Sequence, residues 1–224
     1  MRYFQNKLSM PSKSYSNYQK NLKDVDRLIA SHASESGTSP GKKGLGHLTR
    51  SGVVMLCAAF EVYIEELIEE CIHKFIAEYP SLKEFPKQLK QRLAYVVKNQ
   101  KNDLEVLNLI GNGWKDMLMN CLRSDLSTLN SPKFNKLDVL FNRYLGIKEF
   151  SLKWSCDRTE LNHFISIRGE IAHNGAKAKY VQIKYLKKSR EYINSLTQEI
   201  DNEISNHLAG ILPKGNRPWR RRYE

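Results

Sequence analysis

Gly46–Tyr79, GHLTRSGVVMLCAAFEVYIEELIEECIHKFIAEY, is the stretch that decides the fold. Val53, Cys57, Phe60, Ile64, Leu67, Cys71, Phe75 and Tyr79 recur at steps of three or four until Pro80 stops the pattern. That is the period of one long amphipathic α-helix, about Gly46 to Tyr79. Glu65, Glu66, Glu69 and Glu70 fall on the other face. They read as a solvated face, because a carboxylate metal site needs further ligands converging from elsewhere.

The same pattern extends to either side. Upstream, Tyr18, Leu22, Val25, Leu28 and Ile29 mark a helix from Tyr15 to Ser31, and Ser34 to Gly44 is rich in Ser and Gly, as a flexible loop would be. Downstream, a basic segment runs from Lys87 to Lys101 with weak helical pattern, and Trp114 to Leu129 follows the Gly111-Asn112-Gly113 turn as a helix. Ser131-Pro132 offers an N-cap and a first-turn proline, and Gly146 offers the stop of the next helix. Asp157-Arg158-Thr159-Glu160 resembles a capping box, opening a helix that Asn174-Gly175 closes. A charged helix from about Tyr180 to Ala209 precedes a basic tail. Period-two alternation is nowhere sustained, so the expected fold is all-α. The chain divides as 1–44, an N-terminal helix and loop; 45–210, the helical domain; and 211–224, the tail.

Composition narrows the function. Thirty-six Lys+Arg against 24 Asp+Glu give a formal charge of +12, which favours polyanions, nucleic acid first. The longest apolar run, Val53 to Phe60, is too short to span a bilayer, and a cytoplasmic protein without membrane attachment is expected. The four cysteines form no C-x-x-C pair and fit a reducing compartment. The six histidines are scattered without ligand spacing, so neither a metal nor another cofactor is expected.

Arg168-Gly169-Glu170-Ile171-Ala172-His173-Asn174-Gly175 carries the chemistry. Arginine, four residues, histidine is weak as a spacing, since Arg27/His32 and Arg158/His163 share it. Only the third follows Ile-Ala and meets an Asn-Gly terminator. Metal-free RNA cleavage uses the ribose 2′-hydroxyl as its own nucleophile, so a protein must move protons and neutralise phosphate charge. Histidine changes charge near neutral pH, and arginine grips two phosphate oxygens while staying charged. An ordinary surface arginine and a C-capping histidine are the alternative at this point. Regular helix sets the two side chains about 140° apart, so either the last turn is distorted or the site uses two chains.

Ile167 to Gly175, together with Ala58-Ala59-Phe60-Glu61, Tyr63 and Leu67 on the long helix, resembles the HEPN superfamily and within it the bacterial RiboL-PSP-type HEPN proteins. The resemblance frames roughly Leu48 to Leu208. It implies an all-α HEPN-like bundle forming a two-fold homodimer, and metal-independent RNA cleavage in toxin–antitoxin or antiviral settings, with an antitoxin or defence-system partner. Arg168 and His173 would be catalytic, with Glu170, Asn174 and Glu61 supporting. Many members carry Asn, Asp or His directly after the arginine; here Gly169 stands there, and that role is missing or passes to Glu170. Glu61 would pair with an arginine. Lys87, Lys90, Arg92, Lys98 and Lys101, and Arg220, Arg221 and Arg222 beside Trp219, are the expected RNA contacts. Some members bind nucleotides or partners without cutting, so a non-catalytic RNA- or nucleotide-binding dimerisation module is the rival expectation. A structural subunit docked on a neighbouring enzyme is a third.

Overall fold

A computed structural model describes residues 11–37, 44–99, 106–107, 109–213 and 217–219. The fold is all-α: the described residues contain no strand, and the α-helices are α1 (Lys13–Ser36), α2 (Gly46–Glu78), α3 (Lys87–Lys98), α4 (Gly113–Leu126), α5 (Phe134–Leu145), α6 (Arg158–Asn174) and α7 (Ile183–Ile211). Short 3₁₀ turns at Leu82–Glu84, Phe150–Lys153 and Gly175–Lys177 join neighbouring elements.

The long helix is where the sequence placed it, but it is not one-faced. Besides the expected stripe, Thr49, Gly52, Leu56, Ala59, Tyr63, Ile68 and Ile72 are buried, so α2 is the central post of the bundle rather than an amphipathic outer helix. Its neighbours explain this. Tyr15 and Tyr18 of α1 pack their rings against Tyr63 at 6.5 and 5.7 Å. α7 approaches so closely that a Cβ at Gly52 would lie 2.4 Å from Leu186. Asn17 bonds Glu66 while Ser14 bonds Glu70, so α1 and α2 run antiparallel. Contacts pairing Asp26 with Arg190, Gln19 with Asn194 and Ser12 with Asp201 make α1 and α7 antiparallel too.

Helix ends follow local chemistry, with some departures from expectation. α1 continues to Ser36, past the loop start expected at Ser34, and the rest of that loop, 38–43, lies outside the described residues. Ser131-Pro132 does not cap α5, whose N-cap is Lys133; the Phe134 N–H is instead satisfied by Asn162 Oδ1 of α6 at 3.1 Å. Gly146 ends α5 in the left-handed region at φ 74°, as its sequence position suggested. Asp157 caps α6 through the Thr159 N–H at 2.9 Å, but the reciprocal half of a capping box is absent because Glu160 pairs with Lys188. The core extends beyond 45–210: Tyr15, Tyr18, Leu22 and Val25 of α1 belong to it, and so does Trp219.

Candidate functional site

α6 packs against α2, and this contact seats the motif. Leu161, Phe164, Ile165 and Ile171 turn into the core, which leaves Arg168 half-buried and Ala172, His173 and Asn174 exposed. Arg168 points back to α2, its Nη2 lying 3.6 Å from Glu61 Oε2. Its Nη1 donates to the Asn130 carbonyl at 3.5 Å. The arginine that Glu61 was expected to partner is therefore Arg168. With 28 and 15% side-chain exposure the pair is held but still reached by water.

Cys57 donates its thiol to Glu61 at 3.8 Å. Burial, with the Glu61 charge beside it, pushes the Cys57 thiol up to about 12. Burial also raises the Glu61 carboxyl, with Arg168 and the Cys57 hydrogen bond pulling the other way. Glu61 thus fixes the arginine's direction while removing part of its net charge.

His173 has no hydrogen-bond or ion-pair partner among the described residues. α6 stays α-helical through Asn174, and Gly175 closes it at φ 54° with its N–H on the Ile171 carbonyl. A distorted last turn is thereby ruled out as the way to bring Arg168 and His173 together; one chain splays them about 140° apart. Gly169 meets nothing within 4 Å of an added Cβ, so open space, and no packing demand, surrounds the position where a polar residue was missed. Glu170 Oε1 accepts the Lys179 N–H at 3.2 Å and ties down the chain after α6. Asn174 is exposed in the last turn beside His173.

The two other arginine–histidine pairs are differently placed: Arg27 and His163 are exposed, Arg158 is half-buried and His32 is buried. Arg158 stacks over Phe134 at 5.0 Å, and His163 meets Tyr185 edge-on at 6.1 Å. Arg27 pairs with Asp24 in its own helix, and His32 is buried.

The expected RNA contacts are partly corrected. Arg92 is not available as an RNA contact, because Asp125 holds it by two hydrogen bonds of 3.1 and 2.6 Å. Lys90 is engaged with the Lys83 carbonyl at 2.7 Å. Lys87 and Lys98 are exposed; Lys101, Arg220, Arg221 and Arg222 lie outside the described residues. Trp219 cannot stack on a base. Its indole is buried, its Nε1 donates to the Asp201 carbonyl at 3.2 Å, and its own carbonyl accepts from Ser205 at 2.8 Å.

The acidic row of α2 is not simply solvated either. Glu70 accepts the Lys13 and Ser14 N–H groups at the start of α1, Glu66 accepts from Asn17, and Glu69 faces Arg123 and His73. No three His, Cys, Asp or Glu side chains are grouped as a metal cage would require among the described residues.

A family model, RiboL-PSP-HEPN, matches residues 16–206. The chain belongs to the RiboL-PSP-HEPN family. Comparison with curated proteins and with solved structures found no match. The HEPN match spans from α1 into α7 and includes both Glu61 and the motif of α6. Among the described residues, no helix of this HEPN protein is long and apolar enough to cross a membrane.

Proposed function

We propose that this HEPN protein is a metal-independent endoribonuclease that works as a homodimer. The observation that carries the reading is the splayed motif: Arg168 is held by Glu61 and the Asn130 carbonyl, while His173 projects from the last turn of a regular helix with no partner among the described residues. One chain separates the two groups. A two-fold pairing that lays one motif helix beside its symmetry mate supplies an arginine from one chain and a histidine from the other.

In this mechanism the 2′-hydroxyl attacks the adjacent phosphorus, the 5′-oxygen leaves, and the products are a 2′,3′-cyclic phosphate and a 5′-hydroxyl. His173 takes the 2′-hydroxyl proton or delivers one to the leaving oxygen, and the two His173 residues of a dimer divide these tasks. Arg168 holds the non-bridging oxygens as their charge grows. The exposed Lys87 and Lys98 contribute to holding the RNA backbone. A cytoplasmic toxin or antiviral effector, restrained by an antitoxin or a defence-system partner, is the setting this chemistry fits.

The second reading, RNA binding without cleavage, draws support from Gly169 and from the partial neutralisation of Arg168 by Glu61. Purified protein, His173→Ala and Arg168→Ala incubated with total RNA in chelator separate the two. Each variant should cut at least about a hundredfold more slowly, with cyclic phosphate on the wild-type products. Arg158→Ala and His163→Ala should keep most of the activity. A strict magnesium requirement, or full activity in His173→Ala, overturns this mechanism, and RNA binding with no cleavage by the wild type leaves the binding module as the function.

A further inference from the structure

Beside the end of α6 lies a groove of about 350 Å³, lined by His47, Arg50, Val54, Met55, Ile171 and Gly175 among others. We propose that it is a nucleotide subsite for single-stranded RNA, in which a base enters the groove, stacks against Tyr180, and has its phosphate held by Arg50. The assignment rests on the ribonuclease reading above, and it gives the RNA a path leading away from His173.

The groove has the two halves such a subsite needs. Its floor is apolar, made of Val54 and Ile171 with Met55, which is 40% exposed for a side chain that burial would favour. Its rim is cationic. Arg50 is half-buried on α2, and His47 donates from Nδ1 to the Gly44 carbonyl at 2.9 Å, which leaves Nε2 facing outward.

Tyr180 supplies the platform. Its ring is 62% exposed, yet it leans on Gly46 so closely that a Cβ there would lie 3.3 Å from Cδ2, with Arg50 Nη1 at 3.0 Å from the same point. Aromatic ring and guanidinium therefore converge on one spot at the start of α2. Such a juxtaposition is a sequence-tolerant way to hold a base and its phosphate.

Position and charge argue for RNA as the occupant. Gly175 is two residues after His173, so a base seated here belongs to a nucleotide adjoining the one being cut. Lys177 and Lys179 are exposed on the chain that follows Gly175, and Glu170 is engaged there by the Lys179 N–H. A polyanion meets cations on both sides.

The test uses full-length His173→Ala as a non-cutting background, and anisotropy of a labelled single-stranded RNA of about a dozen nucleotides measured across salt. Tyr180→Ala should weaken binding by about tenfold with the salt slope unchanged, Tyr180→Phe should bind as the background does, and duplex RNA should be insensitive to both. Arg50→Ala should weaken binding several-fold and flatten the salt slope by about 0.7. If the background binds the RNA tightly and neither Tyr180→Ala nor Arg50→Ala weakens it, the subsite is wrong and the ribonuclease reading survives. If the background binds no RNA, both fall. If the variants bind normally but sediment as monomers where the background is a dimer, the groove belongs to a second copy and the subsite is overturned.

Discussion

Replacing Asp125 with alanine is the perturbation whose size the structure defines best. The Asp125 side chain is 10% exposed and ties three helices together: Arg92 of α3 at 3.1 and 2.6 Å, and Arg143 and the Tyr144 hydroxyl of α5 at 2.8 and 2.7 Å, all onto α4. Burial alone would raise its carboxyl, but the hydrogen bonds from Arg92, Tyr144 and Arg143 outweigh it and hold the carboxyl below the ordinary range. Breaking a fully buried pair costs about 3–5 kcal/mol. Arg92 and Arg143 keep 23 and 37% side-chain exposure and recover some hydration. The expected loss is therefore about 2–4 kcal/mol, or on the order of 5–15 °C in melting temperature for a chain of this size. Thermal and urea unfolding both read it. Asp125→Asn should lose about half as much. Because the folded value is the depressed one, the stabilisation is complete above the ordinary carboxylate value near 4 and disappears as pH falls through the depressed one. The wild-type advantage over Asp125→Asn should therefore be flat at neutral pH and shrink in acid. A melting shift under about 2 °C for Asp125→Ala would show that the two arginines do not need their shared carboxylate.

Three further outcomes follow from the packing and the site. Trp219→Ala removes a side chain that is only 1% exposed and should cost about 3–5 kcal/mol, seen in chemical denaturation; truncation after Ile211 should do at least as much, so any loss of RNA binding on truncation must be measured beside a stability curve. Gly52→Ala places a methyl 2.4 Å from Leu186 in the α2–α7 contact and should destabilise by about 1–3 kcal/mol, whereas Gly169→Ala, inside α6 with open space around it, should stabilise by about 0.5–1 kcal/mol. Glu61→Gln frees the Arg168 charge while loosening its seat, so RNA affinity should rise a few-fold as single-turnover cleavage falls about tenfold; both quantities unchanged would make Glu61 mere helix surface.

The fold was readable wherever one helix carried its own signal. The periodicity of α2 and the Asn-Gly stop of α6 are local facts, and both elements stand within a residue of where the sequence put them. What sequence could not supply was partnership. The basic segment counted Arg92 as free charge because Asp125, which neutralises it, is 33 residues away. Trp219 sat among arginines and suggested a nucleic-acid grip, but the gain from burying a large indole outweighs the charge of its neighbours. The cap of α5 comes from Asn162 on another helix, and the carbonyl that steadies Arg168 comes from Asn130, a position with no side-chain signal at all. Glu61 was found because it lies in the segment that carries the family resemblance. Arg50 and Tyr180 were missed because they stand far apart in the sequence and converge at Gly46 only after the chain that follows α6 has packed against the start of α2.

The bonds from Ser12 to Asp201 close α1 onto α7 across 189 residues. On a ribosome adding about 5–20 residues per second, α1 is finished roughly 10–40 s before the strip of α7 that covers it has been made. During that interval α1 and α2 can pair through Tyr15, Tyr18 and Tyr63, but the side of α2 destined for α7 has no cover. Glu61 and Arg168 can meet before α7 is complete. A nascent chain thus carries its motif helix into the cell before the bundle that rigidifies it has closed. Slow synthesis of the α7 segment should favour aggregation or capture by a chaperone over early activity.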